Sequence, residues 1–296
     1  MLEEFKNAFN RPNNTHVQLI IINVVVFVAL GIVYVFSTIL SFESVFHVIH
    51  NQFSIPPKLA DFILRPWTII TYAFMHDLYS ILHILFNMLA LYWFGRLFIE
   101  YLGSDKLVAL YILGALAAGI CYLLVFNTIP FFKQQANFPG MVGASGAIFA
   151  VMVAAATLMP NYTFFLFFFG PVRIKYIVGF YIIVSFLGTV QANAGGNIAH
   201  LGGALMGFIY IKQLQVGVNW GGWITALLDG TKDLFRPRPK VKVSYRKQEP
   251  PGTRKNPNLS GISQKEIDDI LDKISDGGYE SLTKDEKEKL FKASKK

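Results

Sequence analysis

Charge is scarce in this sequence and cysteine is almost absent. Asp, Glu, Lys and Arg make up 16% of the 296 residues, against roughly 25% in an average soluble protein. That is too little to cover a soluble globule, because 53% of the residues are hydrophobic, 27 of them Phe, and too many of these would have to face water. A disordered chain, a coiled coil and a collagen-like fibre are excluded by the same shortage of polar residues. The single cysteine, Cys121, allows no intrachain disulfide and no thiolate metal cluster. What remains is an integral membrane protein, with a mean hydropathy of +0.42.

The positive charge is uneven. Residues 1–231 hold 10 Lys and Arg against 8 Asp and Glu, whereas residues 232–296 hold 17 against 11. A basic tail of this kind is retained on the cytoplasmic side of a membrane and argues against a folded nucleic-acid surface. A span needs about 20 apolar residues, and six segments qualify: 17–40, 80–98, 106–126, 143–159, 174–190 and 197–214. The aromatic run 164–169, bracketed by Pro160 and Pro171, reads as an interfacial loop. An even count puts both termini on one side, and the positions of Arg96, Lys106, Arg173 and Lys175 in inner loops agree.

The chain therefore divides into a cytoplasmic segment 1–16, a six-span core 17–215, a basic flexible linker 216–262 and a small helical module 263–296. In the module, Ser263-Gln264-Lys265-Glu266 reads as a capping box, followed by Ile267, Ile270, Leu271 and Ile274 at helical spacing. Gly277-Gly278 ends that helix, and Thr283-Lys284-Asp285-Glu286 repeats the capping signal for a second. The module has too few apolar positions for an independent domain, so it docks on a partner that the sequence leaves unknown.

Polar residues inside spans are costly, so each is a functional hypothesis. The second span holds His83 and Asn87 one turn apart. The fourth opens with Gly143-Ala144-Ser145-Gly146, and the sixth contains His200. Gly146, Ala150 and Ala154 recur every four residues, as do Ala199, Gly203 and Gly207. Two such small-residue stripes let helix backbones nearly touch. If they face each other, Ser145 and His200 come within hydrogen-bond reach, and a serine hydroxyl needs such a base to act as a nucleophile. Leucine at Gly203 should then separate the two spans, and alanine there should be much gentler. Ordinary helix packing with buried polar pairs accounts for the same residues without chemistry.

These three segments resemble the motifs of the rhomboid intramembrane serine proteases. Gly143-Ala144-Ser145-Gly146 is similar to the family's GxSG, residues Ala199 to Gly207 to its AHxxGxxxG, and His83-Ile84-Leu85-Phe86-Asn87 to its HxxxN. The likeness covers roughly residues 15–215. It implies an all-α membrane protein, a six-transmembrane-helix rhomboid-like bundle with a small helical cytoplasmic tail, in a bacterial plasma membrane. It implies a serine endopeptidase acting on transmembrane protein substrates near the outer membrane boundary. Ser145 would be the nucleophile and His200 the general base. His83, Asn87 and Gly143 would form the oxyanion and substrate site, with Phe149, Gly203 and Gly207 packing the dyad. No metal, cofactor or nucleic acid is implied. A catalytically silent relative that binds transmembrane helices would lack the Ser or His, and both are here. A small transporter would show an internal repeat, and none is apparent. The sequence departs from the family at Trp67-Thr68, where Trp-Arg is frequent, which bears on the stability of the first outer loop. His76 reads as a loop histidine.

Overall fold

A computed structural model describes residues 13–134, 140–235 and 262–294. It separates into two units, 1–236 and 237–296, each described on its own terms. Among its described residues the first unit contains the helices α1 (Thr15–Ile39), α2 (Ile81–Leu102), α3 (Ser104–Thr128), α4 (Ser145–Leu158), α5 (Ile174–Gly188) and α6 (Ala194–Gln215). Of these, α1, α2 and α3 are long and apolar enough to cross a membrane, and α4 and α5 are shorter apolar helices. Their bounds lie within a few residues of the segments read from hydropathy.

Helix α4 is the axis of the bundle. Ten consecutive residues, Gly146 to Ala155, are buried, as expected of a helix apolar all round. It packs on α2, α3 and α6. Small residues set these distances. A Cβ built on Gly203 would overlap the carbonyl oxygen of Gly146, and one on Gly207 would overlap that of Ala150. A Cβ on Gly146 would fall 2.6 Å from that of Ala118 on α3. The two stripes thus meet backbone to backbone. Alanine at Gly203 does not fit, which overturns the expectation that it would be much gentler than leucine: the obstacle is a backbone carbonyl rather than a side chain that can turn aside.

The connection between α1 and α2 is built from short helices, Glu43–Phe53, Leu59–Ile63 and Thr68–Thr71, and a 3₁₀ turn, Tyr72–Phe74. The last carbonyls of the first of these accept from side chains of a later segment. Arg65 Nη1 donates to Asn51 O, Trp67 Nε1 to Gln52 O at 2.7 Å, and Thr71 Oγ1 to Phe53 O at 2.9 Å. Three orphan carbonyls of a helix end are satisfied this way. The arginine at position 65 therefore braces the loop that Thr68 left in question.

Two further segments differ from expectation. The run 164–169 lies in an antiparallel hairpin, β1 (Thr163–Leu166) with β2 (Gly170–Arg173), with Phe165, Phe167, Phe168 and Phe169 exposed. The linker expected over 216–262 begins instead with a helix, α7 (Gly222–Phe235). Asn219 Oδ1 accepts from the Gly221 amide at 3.1 Å, and Ile224 is buried in the core cluster. One buried apolar anchor and an Asx turn hold the start of this segment. The rest of that linker, 236–261, and most of the segment 1–16 lie outside the described residues.

The second unit holds α8 (Gln264–Gly277) and α9 (Lys284–Ser294). Ser263 and Glu266 form the reciprocal capping box, and Thr283 with Glu286 repeats it, the Thr283 amide donating to Glu286 Oε2 at 2.7 Å. Ile270 and Leu282 are its buried apolar residues. Lys273–Glu286 at 3.0 Å and Lys289–Glu266 at 3.1 Å join the two helices.

Two outcomes follow from this packing. Gly203→Ala should cost about 3 kcal/mol or more of stability by overpacking, read as thermal unfolding in detergent. Gly179→Ala, where a Cβ meets nothing within 4 Å, should be neutral or slightly stabilising. In the second unit, the Thr283 backbone bond, helped by Lys273, holds the Glu286 carboxyl down to about 2 from its ordinary 4.5. A depressed carboxyl stabilises above its unfolded value and stops doing so as the pH falls towards its folded one. Amide protection of α8 and α9 in the full-length protein should therefore weaken between about pH 4.5 and 2, and Glu286→Gln should remove much of that dependence.

Candidate active site

The segment leading into α4 is tied down on both sides. Ile55 and Met141 exchange backbone hydrogen bonds, the amide of Ile55 to Met141 O at 3.1 Å and the reverse at 2.9 Å. The Gly143 amide donates to Tyr72 O at 3.0 Å, and Tyr72 Oη donates to Ala115 O on α3 at 2.8 Å. Gly143 has φ +139°, which side-chain-bearing residues rarely adopt. Ser145 follows as the first residue of α4, where an amide has no carbonyl of its own helix to reach. The Gly143 amide is committed to Tyr72, so what Gly143 offers at this site is room.

Across the close α4–α6 contact, Ser145 Oγ lies 2.8 Å from His200 Nε2. The other ring nitrogen, Nδ1, lies 3.0 Å from Ser185 Oγ on α5. The imidazole is also held flat, because Phe149 stacks on it at 4.2 Å between centroids with planes 7° apart. Phe149 in turn meets Tyr181 of α5 edge-on at 6.3 Å. One ring is thus held by two hydroxyls, one on each nitrogen, and one aromatic face.

His83 and Asn87 stand near the start of α2. A Cβ on Gly143 would lie 3.5 Å from both His83 Cε1 and Ser145 Oγ, so the missing methyl leaves a small space between the serine and this histidine. Asn87 is buried and its Nδ2 has no partner among the described residues. His76, in the segment between the 3₁₀ turn and α2, packs against His83 with ring centroids 5.6 Å apart and is 1% exposed, so this loop histidine is buried. Burial, and then His83, push its pKa down to about 3, so it is neutral. Among the described residues no group of three or more His, Cys, Asp or Glu is arranged to hold a metal.

Comparison with known families decides the kinship. The model of the Rhomboid domain matches residues 64–215, slightly more than half of the chain, including Ser145, His200, Ser185, His83 and Asn87. The chain belongs to the rhomboid family. It is 35% identical over 163 residues to RHOMBOID-like protein 12, mitochondrial, of Arabidopsis thaliana, covering 52% of this chain and 48% of that protein. It is 33% identical over 159 residues to Rhomboid protein 1, mitochondrial, of Saccharomyces cerevisiae, covering 51% and 42%. It is 34% identical over 86 residues to the rhomboid protease GlpG of Klebsiella pneumoniae, covering 29% and 26%. The chain thus spans about half the length, or less, of the curated relatives it matches. Residues 261–296 match a separate family of unknown function, DUF6576.

Sequence reasoning missed Ser185. The signal was present, since it is the one serine of a helix that is apolar apart from Lys175 and two tyrosines, and the rule that singled out the polar residues of the second, fourth and sixth spans applies equally to the fifth. Its partner lies 15 residues away on another helix, and no motif connects them. Gly143 supplies the outcome to check here. Gly143→Ala should lower stability by about 1–3 kcal/mol through backbone strain and put a methyl into the space between Ser145 and His83, measured as thermal unfolding alongside the loss of any serine-directed labelling.

Proposed function

We propose that this rhomboid-family membrane protein is an intramembrane serine endopeptidase that cleaves transmembrane protein substrates near the outer boundary of the bilayer. The 2.8 Å contact between Ser145 Oγ and His200 Nε2 carries the reading. In the proposed reaction Nε2 takes the serine proton as Oγ attacks the substrate carbonyl carbon. The tetrahedral intermediate then collapses as the imidazolium gives that proton to the leaving amine. A water molecule repeats both steps to release the acyl group and restore Ser145. Asn87 Nδ2, His83 and the amide of Ser145 are the donors assigned to the oxyanion. An amide nitrogen buried without a protein partner favours that role for Asn87, because such a group costs free energy until something accepts from it.

The name of GlpG, a rhomboid protease, supports the same reaction class. Six spans are the proposed count, one for each of α1 to α6, with both ends of the core on the cytoplasmic side or its equivalent. The short α4, buried along its length, would then start below the outer surface, where water reaches Ser145. The 216–296 region is assigned no part in cleavage. A bacterial plasma membrane loses its support here, because the two relatives matched over about half this chain are named mitochondrial. The assignment kept is an integral, multi-pass membrane protein.

Purified full-length protein in detergent should cleave a single-span substrate from a panel and should be labelled at Ser145 by a fluorophosphonate. Ser145→Ala and His200→Ala should each abolish cleavage, and the double variant should be no worse than either. Asn87→Ala should lower turnover by on the order of 10²-fold with little change in KM. Substantial cleavage by Ser145→Ala would sink the assignment.

A further inference from the structure

His200 has two ring nitrogens, and the mechanism so far uses one. The other is not left to solvent. Nδ1 meets Ser185 Oγ at 3.0 Å, and Ser185 is 3% exposed, on a helix separate from both Ser145 and His200. No carboxylate is hydrogen-bonded to this imidazole among the described residues. We infer that Ser185 is a positioning residue for His200: its hydroxyl oxygen accepts from Nδ1–H and keeps the lone pair of Nε2 turned towards Ser145. This rests on the serine-hydrolase reading above and deepens it.

The proton inventory makes the case. For Ser145 to donate to Nε2, the ring's hydrogen must sit on Nδ1, and that N–H then needs an acceptor in a buried place. Ser185 Oγ is the acceptor within reach. A serine can also donate, but with the Ser145 hydroxyl donating to Nε2 the ring's hydrogen belongs on Nδ1 and Ser185 accepts it. Once the ring takes the Ser145 proton, both nitrogens are donors. Ser185 can then only accept, and it does so for a charged donor, where a hydrogen bond is stronger than for a neutral one. Its effect therefore grows between the ground state and the transition state, which is the condition for raising turnover rather than substrate binding.

A neutral hydroxyl suits this position. An aspartate would bind the imidazolium more strongly, but a carboxylate within a membrane-embedded bundle carries a large desolvation cost before it meets a partner. Stacking by Phe149 restrains the ring's tilt but leaves rotation within its plane open. The Ser185 contact restrains what stacking does not.

Three variants of the full-length protein test this, with kcat and KM for a single-span substrate in detergent. Ser185→Ala should lower kcat about tenfold, as for one lost hydrogen bond, with KM within twofold. Ser185→Thr, which keeps the hydroxyl, should recover most of that loss. If alanine prevents folding, Ser185→Cys keeps the volume with a weak acceptor and carries the same expectation. A folded Ala or Cys variant with unchanged kcat, or one in which only KM moves, would overturn the inference. A second readout needs no activity. Nitrogen-15 spectra of the histidine-labelled protein, assigned with His200→Gln, should show His200 with its hydrogen predominantly on Nδ1, and Ser185→Ala should mix the two tautomers. Superimposable spectra would overturn the positioning role. Absence of both cleavage and fluorophosphonate labelling in the unmodified protein would instead defeat the hydrolase reading, and the tautomer measurement would still decide on Ser185.

Discussion

The contact between α4 and α6 sets the geometry of everything near Ser145, because two helices can bring short side chains together only when their backbones nearly touch. Serine reaches about 2.4 Å from its Cα and cannot meet a partner across an ordinary interhelical distance of 8–10 Å unless that partner is long and the gap is small. Gly203 and Gly207 close the gap by presenting no side chain to the carbonyls of Gly146 and Ala150. His200 lies one turn from Gly203 on α6, and Ser145 lies beside Gly146 on α4, so the pair is carried to 2.8 Å by glycines rather than by any attraction of its own. A methyl added there would disturb the bundle and the pair together.

Around that contact the polar groups are economical. Tyr72 ties the connection between α1 and α2 to α3 through Ala115 O, Tyr111 donates to Ala73 O at 2.8 Å, and Asn23 on α1 reaches Tyr111 Oη at 3.3 Å. Each is a neutral side chain satisfying a backbone or hydroxyl oxygen. A bundle surrounded by hydrocarbon must find such partners internally, and neutral groups cost less to bury than charged ones. The Ser145–His200–Ser185 arrangement follows the same economy, with neutral groups where a soluble hydrolase places a carboxylate.

The second unit follows different physics. Its helices are short and exposed, and local devices hold them: two reciprocal caps, a left-handed glycine at Gly278 with φ +73°, and lysine–glutamate pairs between the helices. Individual exposed ion pairs contribute little, so the caps and the Ile270–Leu282 burial carry most of its order. Its separate family match sets it apart from the rhomboid domain.

The sequence by itself determined the solvent, the helices and the candidates. Low charge and long apolar runs determine that the chain lives in a bilayer, and periodic small residues mark which faces pack closely. Ser263 and Glu266 announce a helix start because capping acts within four residues. The polar residues at 83, 87, 145 and 200 stand out because their surroundings are apolar. Tertiary structure alone decided what the helices' rotations and registers control. It committed the Gly143 amide to Tyr72, set Arg65, Trp67 and Thr71 on the end of a helix more than ten residues away, and folded Gly222–Phe235 onto the core through Ile224. It also placed Ser185 on the second nitrogen of His200. A side chain's partner across a bundle depends on a few ångströms of axial shift and a few tens of degrees of rotation, and no local pattern encodes these. They emerge only when every small residue, carbonyl and ring is packed at once.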